Sequence, residues 1–191
     1  MNKFIYEFNY LNAILPELEN YLLSPELYRI VSIATQRGEP AYPSLSLGTL
    51  LLSLKKAQGY AQSFAQETRL NSIESQIERI KTQWRQAWEN KCSRELQNRA
   101  NLWQLFLSEL ISQPNEQIDR YPYEVRQRVI LELLQNEITL KPIEHKDNIK
   151  LLDQILTPNF HEGEFIWDKE LEHTFPKQQY WFLYGKPTLI T

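Results

Sequence analysis

The sequence predicts an all-α protein: an irregular helical bundle with one long central helix over about residues 71–112 and an aromatic, acidic C-terminal segment. Three observations predict it. From Tyr60 to Gln113 the chain contains neither glycine nor proline, the two residues that most disfavour a helix interior. Within that stretch Ile73, Ile77, Ile80, Trp84 and Trp88, and further on Leu102, Leu105, Phe106 and Leu110, recur at threes and fours, the period of a helix face. The ten prolines and five glycines all fall outside it, so the chain's breaks cluster toward its ends.

In chain order, Phe4, Tyr6, Phe8 and Tyr10 stand at alternate positions and predict a short strand or an extended arm over the first residues. Pro16 followed by Glu17 reads as a helix start, with fixed φ at the first position and an acid at the positive end of the dipole. Ser24-Pro25-Glu26 is a second start. Leu27, Ile30, Val31 and Ala34 then form one apolar face, and Gly38 ends it. After a loop with Pro40 and Pro43, Ser44 or Ser46 caps a helix whose stripe is Leu47, Leu50, Leu51, Leu54 and Ala57. Tyr60, Ala61 and Phe64 keep the period past Gly59, which predicts continuation to about Leu70. About forty residues of helix at 1.5 Å each then span roughly 60 Å. Pro114 stops that helix. Tyr121-Pro122-Tyr123-Glu124 opens another, with Val125, Val129, Leu133 and Leu134 inward, and Pro142 closes the region. A short helix over about 146–156 carries Ile149, Leu152, Ile155 and Leu156. In the tail, Pro176 and Gly185 bracket Gln179–Tyr184, which reads as one more short helix in preference to a buried strand. The organisation expected is a helical domain, 1–158, with residues 159–191 packed on it as a docked aromatic tail.

Composition narrows the function classes. With 42% hydrophobic and 24% charged residues in 191, the chain can bury a core without a disulfide or metal staple. Cys92 is the single cysteine. No apolar run approaches a membrane span, and the opening residues do not read as a signal peptide. The expectation is a cytoplasmic protein without a membrane partner. Phosphate loops, dinucleotide fingerprints and nucleophile elbows are absent, so no catalytic residue and no cofactor is assigned.

The most informative stretch is Glu89–Arg99. Extending the stripe of Ile77, Ile80, Trp84 and Trp88 by helical steps lands on Lys91, Glu95 and Arg99, which are charged where the period asks for apolar residues. One reading makes these a solvated ladder of i, i+4 pairs on a helix leaving the core. The other makes Trp84, Trp88, Lys91, Glu95, Arg99 and Trp103 a polar and aromatic patch that meets a partner, since interfaces favour Trp and Arg. Glu170 and His173 have the E-x-x-H spacing of helical metal sites, but no second such motif accompanies them, which leaves them weak metal candidates. Arg79, Lys81, Arg85, Arg94, Arg99, Arg126 and Arg128 allow nucleic-acid binding. Glu74, Glu78, Glu89 and Glu95 interleave with them, and the net charge is −3, so this partner is not favoured.

The function expected is therefore that of a non-catalytic helical adaptor or subunit acting through protein–protein contact, with another protein or with itself. Two alternatives remain. One is an accessory subunit of a ribonucleoprotein or DNA-processing assembly. The other is a ligand- or metal-binding enzyme using the acidic, aromatic tail.

Overall fold

The computed structural model describes residues 2–139 and 143–188, the side chains of 143–146 excepted. Pro142 and the side chain of His145 lie outside the described residues. The fold is all-α with one small two-stranded hairpin. The chain divides into two compact units, Met1–Glu95 and Leu96–Thr191, and the division falls inside a helix.

The first unit begins with α1, Lys3–Ile14, where alternating aromatics predicted an extended arm. The alternation misleads because the intervening residues are also used. Glu7, Leu11 and Ile14 join Phe4, Phe8 and Tyr10 in a buried face of helical period, and Asn2 caps the start by accepting from Ile5 N. A 3₁₀ turn at Leu15–Glu17 carries Pro16, and α2 follows at Leu18–Leu23. Helix α3, Leu47–Tyr60, starts at Ser46 in a capping box with Thr49 and packs on α1. It stops at Ala61, short of the continuation that the apolar period suggested. Helix α4, Phe64–Gln83, then opens with Ser63 as its cap and buries Leu70, Ile73, Ile77 and Ile80.

The predicted helix over 71–112 is divided at Trp84. Residues 71–83 belong to α4, and α5 is the 28-residue helix Arg85–Ser112. Trp84 has φ −115° and ψ 36°. Its indole Nε1 donates to Glu19 Oε1 at 2.8 Å, which ties the bend to the segment after α1. Both flanking backbone bonds persist, Trp84 N to Ile80 O and Trp88 N to Trp84 O, so the defect is one residue wide and carries no Gly or Pro signal.

In the second unit, Gln113 precedes the short α6, Pro114–Gln117, and a 3₁₀ turn leads to α7, Tyr121–Glu124. Helix α8, Arg126–Asn136, buries Val129, Ile130, Leu131 and Leu134. Buried Arg128 holds Asp153 of α9, Ile143–Leu156, through two bonds of 2.8 and 2.9 Å, and Glu132 at 3.1 Å. The tail is no helix at Gln179–Tyr184. It forms β1, Phe160–Phe165, paired antiparallel with β2, Tyr184–Pro187, with only a 3₁₀ turn at Trp181–Leu183 between Tyr180 and β2. Gly185 decides this. Its φ is +142°, and a Cβ there would stand 2.1 Å from His161 O on the partner strand, so the glycine that suggested a helix end instead permits strand contact. Phe175, Tyr180 and Phe182 are buried, with Trp181 edge-on to Phe160 at 5.1 Å.

Two outcomes are expected. Gly185→Ala destabilises the chain by at least about 2 kcal/mol in urea unfolding, from backbone strain and the close strand contact. Glu7, buried on α1, has its pKa raised above 4.5 by desolvation, against the pull of Lys56 and Ser53. Between 4.5 and that raised value the folded chain binds more protons than the unfolded one, so stability falls as pH rises through the window. Glu7→Gln is therefore more stable than wild type above the window, and the gain disappears below pH 4.5; urea midpoints across pH read both.

Candidate functional site

The charged face of α5 is buried. Lys91 is 3% exposed, Glu95 0% and Arg99 7%, so the ladder is not solvated. Each charge meets backbone or side-chain groups that water would otherwise have to satisfy. Lys91 Nζ donates to Tyr21 O, Ser24 O (3.0 Å) and Glu26 O (2.7 Å), and stands 3.9 Å from the Tyr21 ring centroid. Those carbonyls belong to the C-terminal end of α2 and the chain just beyond it, where the helix dipole favours a cation. Desolvation, with Arg94 and Arg29 nearby, lowers its pKa to about 8, so the ammonium keeps its proton at neutral pH.

One turn on, Glu95 takes the opposite end of another helix. Its Oε1 accepts from Ser46 Oγ at 2.6 Å and its Oε2 from Gly48 N at 2.9 Å, at the N-terminus of α3, where an anion is favoured and backbone N–H groups are unpaired. In the second unit Arg99 donates to Gln127 Oε1 at 2.9 Å, a buried contact. Trp88 and Trp103 are fully buried as well. Trp103 stacks on Phe106 at 5.4 Å. Of the predicted patch only Trp84 keeps partial exposure, and its indole is engaged by Glu19.

The predicted helix after Ser24 does not form, and its first carbonyls meet side chains of α5 instead. An α-helix starting there would need the carbonyls of Ser24, Pro25 and Glu26 for its own ladder. Lys91 takes the first and third, and Arg94 Nη2 donates to Pro25 O at 3.0 Å. Arg29 N goes instead to Leu45 O, and Leu45 N to Arg29 O, in a lone antiparallel bridge. Continuing that pairing would set Val31 opposite Pro43, which has no N–H to give. The result is a loop, Ser24–Leu45, held at its base and free of backbone bonds at Ile30–Ala34 among the described residues. Of its predicted apolar face, Ile30 is 82% exposed and Ala34 is exposed, while Leu27 and Val31 are half-buried; neighbouring Ile33 is 55% exposed. Beside them lies a cleft of about 410 Å³ lined in part by Ala13, Ile14, Pro16 and Val31. Sequence reasoning missed this loop because its apolar spacing is genuinely helical.

The other predicted sites are scattered. Glu170 and His173 are exposed on a 3₁₀ turn, and among the described residues no group of three or more His, Cys, Asp or Glu is placed to hold a metal ion. Of the candidate cations for nucleic acid, Lys81 pairs with Glu78, Arg85 with Glu89 and Arg128 with Glu132 and Asp153. Arg126 lies 3.5 Å from the Tyr123 ring centroid. Among the described residues no helix is long and apolar enough to cross a membrane. A scan of protein-family models and searches of curated proteins and of solved structures return no match.

The clamp residues are expected to be costly to remove. Lys91→Met strips a donor from three carbonyls and lowers stability by roughly 3 kcal/mol. Glu95→Ala costs about as much, whereas Glu95→Gln, which keeps the shape and loses the charge at the helix end, costs about 1 kcal/mol. Urea unfolding of the three variants gives the ranking directly.

Proposed function

We propose that the chain is a non-catalytic helical adaptor or subunit that binds another protein through the Ser24–Leu45 loop, in the cytoplasm. The observation that carries this reading is the loop itself. It exceeds the ~15 residues that structureless connections usually reach, and loops of that length are commonly functional. Two buried charges on successive turns of α5 hold its base, yet its tip puts Ile30 and Ile33 into solvent. Burying Lys and Glu is expensive, and exposing two large β-branched residues together invites association. A structure that does both favours a presented contact over an incidental connection. Holding the base in advance also lowers the entropy lost on binding.

The cations weighed for nucleic acid are largely engaged within the chain, which favours a protein partner over RNA or DNA. A reducing compartment suits a single, buried cysteine, Cys92.

The test is a double variant, Ile30→Asp with Ile33→Asp. Both positions are exposed, so helical content and unfolding midpoint stay near wild type. The protein that co-purifies with the wild-type chain from its native cell is expected to be lost. Retention of that protein at wild-type yield overturns the loop as contact element. Light scattering on the pure chain shows whether the partner is a second copy: a wild-type dimer should become monomeric in the variant. Salt-dependent capture of an oligonucleotide, unaffected by the variant, would support the accessory-subunit reading in its place.

A further inference from the structure

We propose that Ser24–Leu45 opens and closes as one unit, a strap latched by Lys91 at its start and by Glu95 just past its end. The latches sit four residues apart on one helix and grip different legs. Lys91 holds Tyr21 O, Ser24 O and Glu26 O on the first leg, with Arg94 on Pro25 O. Glu95 holds Ser46 Oγ and Gly48 N where the second leg enters α3. The legs are braced to each other by the Arg29–Leu45 bridge, with N···O distances of 3.0 and 2.7 Å. One leg therefore cannot leave without breaking either the bridge or the other latch.

Tyr21 OH also donates to Leu27 O at 2.9 Å, Thr49 Oγ1 to Ser44 O at 2.9 Å and Arg29 Nη1 to Glu17 Oε2 at 3.4 Å, but few apolar contacts resist opening. Leu45 is the only fully buried apolar side chain of the strap; Leu27, Val31 and Tyr42 are half-buried and most of the rest is exposed. Segments with few buried apolar contacts and exposed backbone open at the low end of the stability scale. The closed strap covers part of α1. Tyr42 packs on Tyr6 and Tyr10 at 5.3 and 5.7 Å, and Tyr6 OH donates to Ala41 O at 3.2 Å. The two states thus offer different surfaces: Ile30 and Ile33 held on a fixed base when closed, the tyrosine face of α1 when open. That this switches partner binding rests on the function proposed above; the opening itself does not.

Native-state hydrogen exchange on the full chain, without any partner, tests the opening. In the wild type, Arg29, Leu45 and Gly48 amides are expected to share one opening equilibrium at low denaturant, with protection about 10- to 100-fold below that of Leu52 in α3. Glu95-side and Lys91-side effects must cross the strap: Glu95→Gln lowers protection at Arg29, and Lys91→Met at Gly48, each about 10-fold or more, while Leu52 is unchanged relative to the global unfolding of that variant. Effects confined to the leg that each residue touches overturn the proposal. So does a wild-type Gly48 amide that opens only with Leu52, a result readable even if Lys91→Met fails to fold. A normal exchange pattern combined with partner binding indifferent to Ile30→Asp would leave the strap standing and the loop's contact role overturned.

Discussion

The structure of the first unit depends on two charges buried against the ends of helices. Lys91 and Glu95 are worth little to each other at a distance of one turn in water, but each has been matched to a pole of a neighbouring helix: the cation to the carbonyl end of α2, the anion to the amide end of α3. Charge-assisted bonds to otherwise orphaned backbone groups are among the strongest polar contacts a protein makes, and they serve both partners at once. The helix end loses its unsatisfied groups and the buried charge gains its solvation. A leucine at position 91 would leave Ser24 O and Glu26 O without the lysine's donor, and one at position 95 would leave Gly48 N without its acceptor.

The same logic recurs in the second unit with different partners. Arg128 is buried under Phe182, at 4.5 Å from its ring centroid, and its guanidinium is shared between Asp153 and Glu132. There the match is planar fork to carboxylate. The aromatic tail completes that surround: Tyr121 OH donates to Phe182 O at 2.7 Å, and Trp167 Nε1 to Pro122 O at 2.8 Å. The tail's rings are thus both packing and polar anchors, the combination that large aromatics with one polar atom provide.

Periodicity made much of the helical architecture legible, and it failed where backbone groups were claimed by distant side chains. The stripes of α3, α4 and α8 and the stop at Pro114 are local features, set by spacing and by residues that cannot continue a helix. Lys91 was visible as an anomaly, a charge on an apolar period. What it held was not visible, because a lysine that binds carbonyls leaves no mark on the residues supplying them. For that reason Leu27–Ala34 read as a helix face. The Trp84 bend was hidden in the same way, since its partner Glu19 lies far off in sequence. Gly185 marks a break in the sequence without saying which kind: a glycine admits several unusual conformations, and which one applies is settled by the strand beside it. The candidate patch on α5 was found for a sound reason, the breakdown of the pattern. All of its members but Trp84 are buried, and two of them, Lys91 and Glu95, hold the base of the loop on which Ile30 and Ile33 are exposed.

The first latch recognises main-chain oxygen, an atom every amino acid supplies. The residues from Ser24 to Glu26 therefore need not be conserved in kind for Lys91 to hold them. The tip beyond has two side-chain bonds of its own, Thr35 Oγ1 to Glu39 O and Gln36 N to Glu39 Oε2, both at 3.3 Å, while Ile30–Ala34 make no backbone bond among the described residues. On the function proposed above, the residues that hold the base and those that would meet a partner lie in separate stretches of the chain, so Ile30–Ala34 can drift, or be rewritten by an experimenter, without renegotiating the core. In that respect the protein is organised like a display scaffold, with a constant frame and a variable insert.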